Sequence, residues 1–136
     1  MKSYTDIEQS KKLAEILPLE SADMSFVEKG NAKRTWYDAE NRRITTKYEK
    51  KYYFPCWSLA ALRACLPSGI SIKGILYVFE SHNTFDNEWV YEYKYEDNAA
   101  IYIKSKNEID ACVEIIIKLN KQNNNERRIK VLYRLC

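Results

Sequence analysis

The hydrophobic and polar positions alternate most regularly in Glu88–Trp89–Val90–Tyr91–Glu92–Tyr93–Lys94–Tyr95–Glu96. Side chains of an extended strand point to opposite faces in turn. Trp89, Tyr91, Tyr93 and Tyr95 therefore share one face. Glu88, Glu92, Lys94 and Glu96 share the other, with Val90 its one apolar member. The expectation is one aromatic face that helices or a partner must cover, and one wet, charged face.

Neighbouring segments read in the same way. Ile75–Phe79 is apolar on both sides and predicts a central strand, and Ser81–Asn87 predicts a polar loop. Ala99–Lys104 predicts a further strand with Ile101 and Ile103 on one face, reached through a turn at Asp97-Asn98. Met24–Glu28 and Lys33–Asp38 predict a hairpin around Gly30-Asn31, and Ile44–Phe54 a longer half-buried strand. Ile129, Val131, Tyr133 and Leu135 alternate with basic residues, so residues 123–136 read equally as an edge strand or a mobile basic tail.

Three helices are expected. Thr5 and Glu8 have the spacing of a capping box ahead of a helix over Asp6–Leu17, stopped by Pro18. Pro55-Cys56-Trp57-Ser58 opens a second, with Leu59, Leu62 and Leu66 at helical spacing. Asn107 caps a third from about Glu108 to about Lys121, with Ile109, Cys112, Val113, Ile116 and Leu119 on one face. The fold class is thus α+β: one domain over 1–136, a single antiparallel sheet of meander and hairpins, and about three helices over its aromatic face.

Charge adds segregation. The net charge is only +3. Yet residues 29–51 carry eight basic and three acidic residues, 77–97 six acidic and one basic, and 118–134 six basic and one acidic. This layout reads first as pairing between neighbouring strands and second as a basic surface for an acidic partner. The N-terminus shows no secretory leader and no run reaches membrane-spanning length, so the expected compartment is the cytoplasm, with no membrane partner.

The candidate chemistry is sparse. Cys56, Cys65, Cys112 and Cys136 form no CxxC pair, and His82 is the one histidine. A zinc site would need distant residues to converge, so no metal and no cofactor is expected. A catalytic pair would need His82 with a cysteine such as Cys56, aided by Glu80, Asp86 or Glu88, and nothing fixes such a pair. No phosphate-binding glycine loop, HExxH or GxSxG occurs. No catalytic residue is assigned.

What remains is a surface. Lys33, Arg34, Arg42, Arg43, Lys47, Lys51, Tyr53 and Trp57 are the candidate interaction residues. They favour a non-catalytic module with a protein partner. The alternative is a nucleic-acid binder using segment 29–51 and the basic C-terminal tail, which would combine cations with aromatic platforms. On Ile44–Phe54, however, most lysines and most aromatics face opposite ways. The Pro55-Cys56-Trp57 corner offers backbone N–H groups to an anion, or is simply a packed strand-to-helix corner.

Three stretches carry a resemblance: Tyr4-Thr5-Asp6-Ile7-Glu8-Gln9-Ser10-Lys11-Lys12-Leu13-Ala14-Glu15-Ile16-Leu17-Pro18, Pro55-Cys56-Trp57-Ser58-Leu59-Ala60-Ala61-Leu62 and Ile109-Asp110-Ala111-Cys112-Val113-Glu114. With them the chain resembles small uncharacterised proteins of gut Bacteroidetes, often encoded near prophage or mobile-element genes. The resemblance implies a bacterial, cytoplasmic accessory protein and gives no residue an activity.

Overall fold

A computed structural model describes residues 2–26, 32–34, 36–37, 43–44, 54–126 and 129–132, with side chains described for 2–26 and 54–123. Its elements are α1 (Ile7–Ala14), a 3-10 turn (Leu19–Ser21), β1 (Met24–Phe26), β2 (Ala32–Arg34), β3 (Trp36–Tyr37), β4 (Arg43–Ile44), β5 (Phe54–Cys56), α2 (Leu59–Cys65), β6 (Gly69–Ile72), β7 (Ile75–Asn83), β8 (Trp89–Tyr95), β9 (Asn98–Ser105), α3 (Glu108–Glu126) and β10 (Ile129–Leu132). The class is α+β with antiparallel pairing. The single sheet expected from the sequence is corrected. The described strands form a five-stranded sheet in the order β10-β6-β7-β8-β9, a three-stranded sheet β2-β1-β5 and a pair β3-β4.

The large sheet is built by short turns. Ile72 pairs with Ile75 across Lys73-Gly74, and both turn residues have positive φ. That geometry matches the twist of a two-residue hairpin, and Gly74 adopts it without a Cβ penalty. Tyr95 pairs with Asn98, so the next turn is Glu96-Asp97, one residue earlier than the composition suggested. β7 runs on through Asn83 into the segment expected to be a loop. It is the middle strand, yet only one of its faces is covered. The tail residues Ile129–Leu132 pair with β6 as an edge strand.

Register fixes the two faces. Phe79, Tyr93 and Ile101 lie side by side across β7, β8 and β9, as do Ser81, Tyr91 and Ile103. This inner face meets α3. Ile109, Cys112, Val113, Ile115, Ile116 and Leu119 join Tyr91, Tyr93, Ile101 and Ile103 in one buried cluster, with Leu13 and Leu17 and with Leu62, Cys65 and Leu66 of α2. Tyr91 and Tyr93 are core, as an aromatic face under helices requires. Trp89 is half-buried, and Tyr95 is exposed beyond the helix cover, edge-on to Tyr77.

The helix ends differ from expectation by small shifts with physical causes. The N-cap of α1 is Asp6, whose carboxylate accepts from the Gln9 N–H at 2.8 Å while the Asp6 N–H donates to Gln9 Oε1 at 3.1 Å. Thr5 does not cap, because its hydroxyl is buried against Ser10 and accepts the Trp57 N–H at 3.1 Å. α2 begins after Ser58, since Pro55 and Cys56 belong to β5. Asn107 caps α3 as expected, accepting the Asp110 N–H at 3.2 Å, and α3 runs on to Glu126, past the end expected near Lys121.

Candidate interaction surface

Three polar clusters at the ends of the helices are bonded internally. At the Pro55-Cys56-Trp57 corner the place for an anion is filled by Asp23. Its carboxylate accepts the Ser58 N–H at 2.9 Å and the Ser58 hydroxyl at 2.5 Å. Trp57 is fully buried and its indole N–H donates to Ser21 Oγ at 2.9 Å. The assignment of Trp57 to an interaction surface is therefore corrected: the ring anchors the core and has no outward face.

A second cluster ties α2, β8 and α3 together. Arg63 Nη1 donates to the Tyr91 hydroxyl and to Glu108 Oε2, each at 2.6 Å. The Tyr91 hydroxyl in turn donates to Glu108. The guanidinium also lies 5.5 Å from the centre of the Tyr91 ring. Burial, reinforced by Cys112 and Glu108, pushes the Tyr91 phenol well above its ordinary value. Burial likewise pushes the Cys112 thiol up to about 12. Burial thus favours the protonated form of both, and the bonds among Arg63, Tyr91 and Glu108 clamp α2, β8 and α3 together. For Arg63 burial acts downward, but Tyr91 and Glu108 more than offset it, and the charge is held.

The N-terminal segment is a third internal knot. Lys2 bridges Asp6 at 3.1 Å and Asp110 at 2.7 Å, and the Gln9 side-chain amide also donates to Asp110 at 2.7 Å. The backbone N–H of Gln9, with Lys2 opposing the effect of burial, holds the Asp6 carboxyl below its usual range. A hollow of about 570 Å³ lined by Lys2, Tyr4, Asp6, Ile7 and Phe26 lies beside it. Its cation and the Asp6 carboxylate are paired with each other, and the exposed Glu8 also lines it.

The outer face of the five-stranded sheet is different. Across β7, β8 and β9 it presents Val78–Lys94–Ala99, Glu80–Glu92–Tyr102 and His82–Val90–Lys104, with Leu76 continuing β7. Leu76, Val78 and Tyr102 are 49%, 48% and 49% exposed, while Glu80, His82 and Lys104 are exposed around them. This face was expected to be wet and charged. It is mixed instead: large apolar groups stand out, whereas Val90 and Glu92 on the inner strand β8 are buried. The pattern of β8 alone could not show this, because the apolar members belong to its neighbours.

None of the expected interaction residues that the structure describes belongs to β7, β8 or β9. Lys33 and Arg34 lie in β2 and Arg43 in β4, while Arg42, Lys47, Lys51 and Tyr53 fall outside the described residues. His82 lies exposed on the large sheet and Cys56 is buried in the small one, so the two are in different sheets. Among the described residues no group of three or more His, Cys, Asp or Glu is placed to hold a metal ion. Likewise no helix among them is long and apolar enough to cross a membrane. Comparison of the chain with protein-family models, curated proteins and solved structures finds no match.

Proposed function

We propose that the chain is a non-catalytic protein-interaction module and that the outer face of β7, β8 and β9 is its docking surface. The observation that supports this is the exposed apolar group Leu76, Val78 and Tyr102 set among charges on a regular sheet. Rigid, partly apolar faces rimmed by polar groups are what protein partners bury. Three polar clusters among the described residues, at Asp23, Arg63 and Lys2, are used in holding the fold, whereas the apolar groups of this face are not. The resemblance of the helical segments to Bacteroidetes proteins near mobile-element genes supports an accessory role in a bacterial cytoplasm.

The test is capture from a nuclease-treated bacterial lysate with the wild-type chain and with a Leu76→Lys/Val78→Lys variant as baits. Both positions are exposed, so the variant should keep its melting temperature. The expected result is a protein retained by the wild type and lost by the variant. Equal retention by both baits would remove this face from the reading. Retention of nucleic acid alone, released by salt, would transfer the function to the basic segments instead.

A further inference from the structure

Glu92 is the group that the fold leaves unexplained. It is 7% exposed, on the outer face of β8. Among the described residues no donor lies within hydrogen-bond or ion-pair distance of its carboxylate. Directly across the ladder stands Glu80, a second carboxylate. Side chains opposite each other in an antiparallel pair have Cβ atoms roughly 4.5–5.5 Å apart, and like charges there repel. The cations of the same face, Lys94 next along β8 and Lys104 diagonally across on β9, form no ion pair with it, and His82 lies beyond Glu80. A buried carboxylate without a partner is strongly unfavourable, so its presence calls for a role beyond the stability of the free chain.

We propose that the outer face binds a polypeptide partner through a lysine or arginine seated between Glu92 and Glu80. This rests on the interaction reading above and names the chemistry of the partner. Charge complementarity at the seat selects the occupant: two adjacent carboxylates, neither paired with Lys94 or Lys104, call for a cation. The surroundings fit a cationic side chain on a long apolar stem. Val78 is the neighbour of Glu80 on this face of β7 and offers apolar surface to the stem, with Leu76 further along, and the exposed Tyr102 stands directly across from Glu92.

The test titrates three probes into the isotopically labelled full chain, followed by amide chemical shifts. They are a seven-residue peptide alternating arginine with valine, its glutamate counterpart, and a fifteen-residue thymidine oligonucleotide. The arginine peptide should shift the amides of residues 78–82, 90–94 and 101–104, and the other two probes should not. Glu92→Gln should weaken that binding at least tenfold, while Glu114→Gln, at an exposed position of α3, should not change it. Absence of these shifts, equal affinity for Glu92→Gln, or oligonucleotide binding at the same amides would overturn the proposal. A second readout needs no ligand. Glu92→Leu should raise the melting temperature of the free chain, and a fall would show that Glu92 is already satisfied. A protein captured through Leu76 and Val78 but indifferent to Glu92→Gln would leave the module standing and remove the cation seat.

Discussion

Replacing Tyr91 by phenylalanine isolates one hydroxyl in the clamp between α2, β8 and α3. The ring is fully buried and packs edge-on against Phe79 at 5.5 Å, and phenylalanine keeps that contact. It also keeps a ring beneath the Arg63 guanidinium. What disappears is an oxygen that accepts from Arg63 at 2.6 Å and donates to Glu108. Hydrogen bonds to charged groups contribute about 1.5–3 kcal/mol each. Arg63 and Glu108 still meet directly at 2.6 Å, and Arg63 is part-exposed, so water and the remaining ion pair recover a share. The net cost should be about 2 kcal/mol. Urea unfolding followed by tryptophan fluorescence measures it. With a slope of about 2 kcal/mol per molar, the midpoint should fall by about 1 M at unchanged slope. Tyr91→Ala, which also empties the ring's volume, should cost about 3–5 kcal/mol. Glu108→Gln combined with Tyr91→Phe should cost less than the sum of the two single changes, because both act on one network. A Tyr91→Phe midpoint within 0.2 M of wild type (an effect under about 0.5 kcal/mol) would refute the clamp.

Three further outcomes follow from other parts of the fold. Asp23→Ala removes the acceptor for the Ser58 N–H and hydroxyl at the start of α2, and thermal melting should show a loss of about 1–2 kcal/mol, with Asp23→Asn recovering part of it. Gly69→Ala places a Cβ 3.0 Å from Leu76 Cδ1 and 3.1 Å from the Tyr77 carbonyl, which is backbone, so denaturant titration should show a cost of about 1–3 kcal/mol. The raised pKa of Cys112, from 9.0 to about 12, means the unfolded chain loses this proton first on going alkaline. Stability from this thiol is therefore complete below about pH 9 and is lost as pH rises toward 12, with Tyr91 acting in the same direction. Melting temperatures between pH 8 and 11 should fall less steeply for Cys112→Ala than for wild type.

The strand and helix periods along the chain were readable because they are local. The alternation of Trp89–Tyr95 marks Tyr91 and Tyr93 as core, and the spacing of Ile109, Cys112, Val113, Ile116 and Leu119 marks the buried face of α3. The hairpin of Met24–Phe26 with β2 was likewise readable from its turn, but distant pairing is not local, so nothing in the segments showed that β5 joins these two strands in a separate sheet. Gly69–Ile72 carries no strand signal of its own, because Pro67-Ser68-Gly69 reads locally as the stop of α2, and the pairing with β7 that makes it a strand is set by the hairpin that follows. The cap of α1 slipped by one residue because the Thr5 hydroxyl is drawn to Trp57, 52 positions away, a competitor that the capping pattern does not contain. The candidate surface was hidden for the same reason. Charge runs pointed to residues 29–51, whereas the outer face is assembled from every second residue of three strands. Only the register puts Leu76, Val78 and Glu80 of β7 on the same face as Glu92 and Tyr102.

The most direct test of this surface is site-specific photocrosslinking in bacterial cells, with a benzophenone side chain at Val78 and, as the control, at the exposed Glu114 on α3. The account predicts one discrete protein adduct from position 78 and none from position 114, with Leu76→Lys abolishing the adduct. Adducts of equal strength from both positions, or from 114 alone, would contradict it.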